Sequence, residues 1–134
     1  MARPDASDAG RASAGAALHR DRQRALHAYE MVAGVQKDRQ GDYKIAVNDL
    51  GANILRSGLS AAMAELDRQK GGRGGVLLEH LAKAGVSGLD GATRDNLPAR
   101  MRELDVDSYM LATREMLKVA TWLKRAAQAT FGDD

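Results

Sequence analysis

The chain has 134 residues, of which 44% are hydrophobic and only 4% aromatic, and it contains no cysteine. The length suits one domain with a modest core, and the lack of cysteine excludes disulfides, thiolate nucleophiles and cysteine-ligated zinc. The formal net charge of +2 is too small to indicate a nucleic-acid partner by itself.

The apolar residues are mostly alanine, leucine and methionine, which favour helices, and β-branched runs are nearly absent. We predict an all-α fold, a compact bundle of about five helices with a long central helix and a long C-terminal helix. Residues 1–15 lack periodicity and predict a disordered N-terminal tail, which leaves residues 16–134 as a single helical domain. No signal peptide or apolar span is evident, so we expect a cytoplasmic protein.

The first predicted helix covers residues 16–35. Its apolar stripe, expected to face the core, consists of Leu18, Ala25, Tyr29 and Val32. A basic stripe of Arg20, Arg24 and His27 lies on the opposite side and has no acidic partner of its own.

The second predicted helix covers residues 43–69, and its apolar residues occupy about half of its circumference. This width indicates a central helix that several others contact. Gly51, Gly58 and Ala62 lie close together on it, which indicates a close helix crossing or, alternatively, a kink near Gly51.

Glycines dominate residues 70–75, KGGRGG, and predict a flexible turn that ends the second helix. A short helix over residues 76–84 should follow, and Pro98 marks the start of another that ends near residue 104. The last predicted helix covers residues 109–131.

The last helix combines basic side chains with the single tryptophan. Arg114, Lys118 and Arg125 share the side opposite its apolar stripe, and like charges four residues apart repel each other. A phosphate backbone would relieve that repulsion, although basic helix faces are commonly only solvated. Trp122 lies at the edge of this face, where it either packs at the core boundary or stacks on Lys118, Arg125 or a base.

No catalytic constellation is visible in the sequence. His19 and His27 lie too far apart to share a metal ion, and no Ser/His/Asp set is indicated. Asp105 and Asp107 are explained by helix capping. We therefore expect a protein that is not an enzyme and has no metal site and no cofactor.

The final helix, YMLATREMLKVATWLKRAAQATF, resembles the C-terminal helix of the small subunit of the type III-B CRISPR effector, the Cmr complex. The matching positions there are Tyr109, Thr113, Glu115, Leu117, Trp122, Leu123, Lys124 and Arg125. The first and central helices are similar to the same family through Arg24, Ala25, Ala28, Val32, Ile54, Gly58, Leu59 and Ala62. The resemblance covers residues 20–131.

This resemblance implies a non-catalytic helical subunit that stacks with copies of itself as a minor filament along the guide RNA–target RNA duplex. Its implied partners are the backbone and large subunits of the complex, guide RNA and target RNA, with no membrane. The motif carries Lys124 and Arg125 over as RNA-binding residues. Helical geometry adds four more candidates, namely Arg20, Arg24, Arg114 and Lys118.

Two other interpretations stay open at this point. The chain is alternatively a helical protein-interaction scaffold without direct nucleic-acid binding, whose basic faces meet acidic proteins. A helix-turn-helix regulator of DNA is less favoured, because the turn at residues 70–75 exceeds the 3–4 residues of that motif.

Overall fold

The computed structural model describes the backbone of residues 6–131 and the side chains from residue 14 onward. This part of the chain contains helices and no strand, which confirms the all-α prediction and the long C-terminal helix. The helices are α1 (Ala6–Ala33), α2 (Gln40–Ser57), α3 (Leu59–Arg68), α4 (Gly75–Ala82), α5 (Leu97–Arg102) and α6 (Val106–Phe131), with one 3-10 turn at Lys37–Arg39. None of these described helices combines the length and hydropathy that a membrane span requires.

Helix α1 begins at Ala6, earlier than the predicted start near residue 16. The alanine-rich sequence explains the difference, because alanine has the highest helix propensity of all residues. Residues 1–5 of the predicted tail lie outside the described residues. The division into a tail and a single domain over residues 16–134 stays a prediction.

The predicted long central helix is wrong, because two helices, α2 and α3, occupy its place. The chain breaks at Gly58, whose φ of 90° and ψ of 163° suit glycine almost exclusively. At the end of α2, the Gly58 N–H donates a hydrogen bond to the Ile54 carbonyl at 2.8 Å. At the start of α3, the Ser60 N–H donates to the Tyr109 hydroxyl at 2.8 Å. Gly51 lies within α2, and no neighbouring atom lies within 4 Å of a Cβ atom placed on it, so no close helix crossing requires this glycine.

A comparison of two glycines tests this break. We expect Gly58→Ala to lower the free energy of unfolding by about 1–3 kcal/mol, because an alanine is strained at this positive φ. Gly51→Ala should instead raise it by about 0.5–1 kcal/mol, since a methyl group there meets no neighbouring atom and favours the helix. Urea denaturation of both variants measures the difference. Equal effects of the two substitutions would show that α2 and α3 are one continuous helix.

Helix α6 packs mainly against α1 and α2. Tyr43 near the start of α2 contacts Phe131 at the end of α6 with ring centroids 6.0 Å apart. Because Tyr109 near the start of α6 reaches Ser60 just beyond α2, the two helices run antiparallel. The largest fully buried side chains are Val32, Tyr43, Leu50, Leu59, Met63, Leu77, Leu78, Leu81, Leu97, Met101, Met116 and Leu123.

The predicted core face of α1 is only partly correct. Val32 is buried as expected and Ala28 joins it, whereas Leu18 is 71% exposed and Tyr29 is 44% exposed. The helix is rotated relative to the prediction because its polar side chains find partners on neighbouring helices. One example is His27, whose Nε2 donates to the His80 carbonyl at 3.2 Å.

The turn at residues 70–75 ends α3 as predicted, but it is compact. Both Gly74 and Gly75 are buried in it, and the N–H of Gly74 donates to the Gln69 carbonyl at 3.0 Å. A Cβ atom on Gly74 would lie 2.6 Å from the Leu66 carbonyl oxygen, and one on Gly75 would collide with the Lys70 carbonyl. These glycines therefore permit close backbone approach between α3 and α4.

Candidate nucleic-acid interface

A groove of about 370 Å³ lies between α1 and α6. Three of the six predicted RNA-binding residues, Arg24, Lys118 and Arg125, line it. Lys118 and Arg125 are exposed on the outer side of α6, seven residues or two helical turns apart. The complete lining is Ala17, Leu18, Asp21, Arg24, Lys118, Thr121, Trp122 and Arg125.

Trp122 forms the half-buried wall of this groove. Its indole Nε1 donates to Asp21 Oδ1 at 2.8 Å, and the guanidinium carbon of Arg125 lies 5.2 Å from its ring centroid. Both expectations for Trp122, boundary packing and stacking on Arg125, are therefore met. A cation over an indole face adds roughly 0.5–1 kcal/mol at an exposed site, so this contact helps to hold the Arg125 side chain at the groove.

Arg24 does not lie on a free basic stripe, contrary to the prediction. Its side chain is only 13% exposed and pairs with Glu115 at 4.0 Å. Glu115 also accepts the backbone N–H of Ser87 at 2.6 Å and the Ser87 hydroxyl at 2.9 Å. Glu115 thus ties the loop after α4 to α6, and its charge partly compensates Arg24.

The other three predicted residues lie outside the groove. Arg20 lines an adjoining cavity of about 210 Å³ that also contains Arg24 and Glu115. Arg114 is exposed one turn before Lys118 on the same side of α6. Lys124 is exposed too, but it lies about 100° around the helix from Arg125 and belongs to a different side. Contact of any of these residues with RNA stays a prediction.

The sequence analysis missed two acidic residues of the site, Asp21 as the partner of Trp122 and Glu115 as the partner of Arg24 and Ser87. Asp21 lies 101 positions from Trp122, and Ser87 lies 28 positions from Glu115. Helical spacing within one element gives no signal for such pairs. The one available hint was a carboxylate, Asp21, inside the basic stretch of α1.

A polar cluster of His27, Tyr43 and His80 lies where α1, α2 and α4 meet. The Tyr43 hydroxyl donates to His80 Nδ1 at 2.8 Å. Burial, and secondly the like charge of the nearby His27, lower the pKa of His80 to about 4. His80 is therefore neutral at pH 7, which lets Nδ1 accept this hydrogen bond. Burial also raises the pKa of the Tyr43 hydroxyl above its ordinary value.

The described part of the chain contains no group of three histidine, aspartate or glutamate side chains placed to hold a metal ion. Asp105 acts as a helix cap, since its Oδ1 accepts the Ser108 N–H at 2.8 Å. That hydrogen bond lowers the pKa of the Asp105 carboxyl. This agrees with the interpretation of Asp105 as a capping residue.

Comparisons with known proteins agree with one another. The model of the family described as CRISPR-associated protein (Cas_Cmr5) matches residues 20–130. The CRISPR system Cmr subunit Cmr5 of Thermotoga maritima is 32% identical over 110 residues, which are 80% of this chain and 81% of that protein.

A solved structure extends the similarity to three dimensions. The crystal structure of a CRISPR-associated Cmr5 family protein from Thermus thermophilus shares 29% sequence identity and superimposes with a TM-score of 0.70. The superposition covers 84% of this chain and 97% of the other. The chain therefore belongs to the Cas_Cmr5 family of CRISPR-associated proteins, and the resemblance to a small subunit of the type III-B effector is confirmed.

Proposed function

We propose that this protein is the small subunit of a cytoplasmic type III-B CRISPR effector complex, in which copies of it stack as a minor filament. Its neighbours in this proposal are the backbone and large subunits. Family membership supports the assignment, and the T. maritima relative is named as a Cmr subunit. Exposed apolar side chains are suited to contacts with protein neighbours, for example Leu55, Val106 and Met110.

We further propose that the face of α6 formed by Arg114, Lys118 and Arg125 contacts the phosphate backbone of target or guide RNA. The observation that carries this proposal is the pair of exposed cations, Lys118 and Arg125, that line one groove beside Trp122. The three cations extend over ~16 Å along the helix, enough for several phosphates of one strand. Such contacts position a strand without reading its sequence.

One copy of the protein makes few such contacts, so its own affinity for RNA should be weak. Copies repeated along one RNA strand raise the effective concentration of every further contact. The binding strength of the assembled complex therefore depends on the face of each copy, which makes the complex the right material for a test.

The salt dependence of RNA binding tests the proposal. Arg114→Ala, Lys118→Ala and Arg125→Ala are introduced together, and the assembled complex is titrated with target RNA over a salt series. Each lost phosphate contact should reduce the slope of log affinity against log salt by ~0.7–0.9, with little dependence on RNA sequence.

A matched control removes three cations elsewhere on the surface, namely Arg56, Arg68 and Arg102, which are exposed on other helices. The control changes the net charge equally and should keep the wild-type slope. A wild-type slope in the α6 variant, with assembly intact, would contradict RNA contact by this face. The helical protein-interaction scaffold, which the exposed apolar residues also suit, would then be the better assignment.

We also propose that the protein has no catalytic activity of its own. The polar contacts of Asp21 with Trp122 and of Glu115 with Arg24 hold helices together. His27 and His80 are engaged in structural hydrogen bonds as well. The purified chain should therefore hydrolyse neither RNA nor DNA, with or without divalent metal. Nuclease activity that co-elutes with the protein and survives a Lys124→Ala, Arg125→Ala double substitution would contradict this.

A further inference from the structure

The groove between α1 and α6 contains one carboxylate, Asp21, beside Arg24, Lys118 and Arg125. The cations suit phosphate, but a carboxylate repels it. The presence of Asp21 in a groove proposed to hold RNA therefore requires an explanation other than backbone binding. The volume of about 370 Å³ lies in the ~300–1,000 Å³ range of small-molecule sites and suits one nucleotide unit.

Only one of the two Asp21 carboxylate oxygens is used within the protein. Oδ1 accepts the Trp122 indole N–H at 2.8 Å, whereas residues 14–131 offer no hydrogen bond or ion pair to Oδ2. A neutral amide oxygen would hold the indole as well, so the charge is not needed for that bond. Asp21 lines the groove, and its second oxygen is an acceptor available to a ligand.

A carboxylate accepts hydrogen bonds and cannot donate them, so its ligand must bring a donor. Phosphate oxygens and deoxyribose within a DNA strand bring none, and the Watson–Crick N–H donors of the bases face the opposite strand in a duplex rather than a group that contacts the backbone. Each ribose of RNA brings one, the 2′-hydroxyl, which is the group that lets a protein distinguish RNA from DNA.

Resting on the RNA contact proposed above, we propose that Asp21 accepts a hydrogen bond from the 2′-hydroxyl of a nucleotide whose neighbouring phosphates contact Lys118 and Arg125. The groove is then a ribonucleotide-selective site, and Asp21 is the residue that determines its selectivity. Trp122 positions the carboxylate through the bond to Oδ1.

The test uses two oligonucleotides that differ only at the 2′ position, oligouridylate and oligodeoxyuridylate of equal length. Trp122 is the single tryptophan of the chain, so its fluorescence reports on the groove directly. In titrations of the full chain at low salt, we expect the RNA to bind about 3- to 10-fold more tightly than the DNA, the effect of one hydrogen bond.

Asp21→Asn should change the two affinities in a characteristic way. The amide still offers an oxygen to the Trp122 N–H, but the charged acceptor for the ribose is lost. Both oligonucleotides should bind more tightly because a repelling charge is gone, and the RNA preference should fall because a neutral amide bonds the 2′-hydroxyl less strongly than a carboxylate does. Asp107→Asn removes the same charge from an exposed position on α6 and should keep the full preference.

Equal affinity of the wild-type chain for both oligonucleotides would overturn the inference without any variant, and therefore independently of how the variants fold. A fluorescence signal that stays constant up to saturating RNA would overturn it as well. Neither result affects the salt-slope experiment on the complex. An unchanged salt slope there would instead contradict the proposed RNA contact, and this inference with it.

Discussion

Truncation of Leu123 or Leu59 to alanine should lower the free energy of unfolding by about 2–5 kcal/mol. Both side chains are fully buried, Leu123 in the C-terminal half of α6 and Leu59 at the start of α3. Removing three methylene-sized groups from a packed core loses their transfer free energy and leaves a cavity that relaxes only partly. Urea denaturation monitored by circular dichroism measures the loss.

Leu55→Ala is the matched control for this experiment, because the same atoms are removed from a side chain that is 77% exposed. The control should change stability by less than about 0.5 kcal/mol, as is usual for surface positions. Similar losses at Leu55 and Leu123 would show that the buried and exposed faces are wrongly assigned.

Acidification should destabilise the fold through His80. The pKa of His80 is about 4 in the folded protein, below the ordinary value of 6.5 that applies to the unfolded chain. The unfolded chain therefore binds the proton more readily. The contribution of neutral His80 to stability is complete above pH 6.5, declines as the pH falls, and is lost below about pH 4. A difference of this size corresponds to roughly 3 kcal/mol.

His80→Gln should remove most of this dependence, since a glutamine carbonyl accepts the Tyr43 hydrogen bond and does not titrate. The measurement is the change in free energy of unfolding between pH 7.5 and pH 4.5, compared with wild type because carboxylates also titrate at the acid end. His19→Gln alters an exposed histidine of α1 and should leave the wild-type dependence intact. An equally steep loss of stability in His80→Gln and wild type would contradict the assignment to His80.

The sequence was informative about the type of secondary structure and less informative about where one helix ends and the next begins. Apolar periodicity continues through Gly58 into α3, so one long helix fitted the pattern. The break depends on the hydroxyl of Tyr109, which lies 49 positions beyond Ser60 and satisfies the N–H that the break exposes. A local pattern contains no information about that partner.

The limits of local patterns also explain why the site prediction was correct for α6 and less accurate for α1. Arg114, Lys118 and Arg125 were placed on one exposed side of α6, because a long and strongly amphipathic helix fixes the angles between its residues. The prediction for α1 was less accurate. Arg24 faces the bundle and pairs with Glu115, and such a partner becomes visible only when the two helices are packed together.

The pairing of α1 with α6 has a consequence for how the chain folds. The hydrogen bond from Trp122 to Asp21 joins residues 101 positions apart, and the two helices that carry them pack closely along each other. Closing so long a loop costs entropy before any contact repays it, which slows folding relative to bundles with neighbouring partners. During synthesis, the surfaces of α1 and α2 that pack against α6 stay uncovered until α6 has emerged. The nascent subunit is therefore exposed to aggregation until its final helix is made.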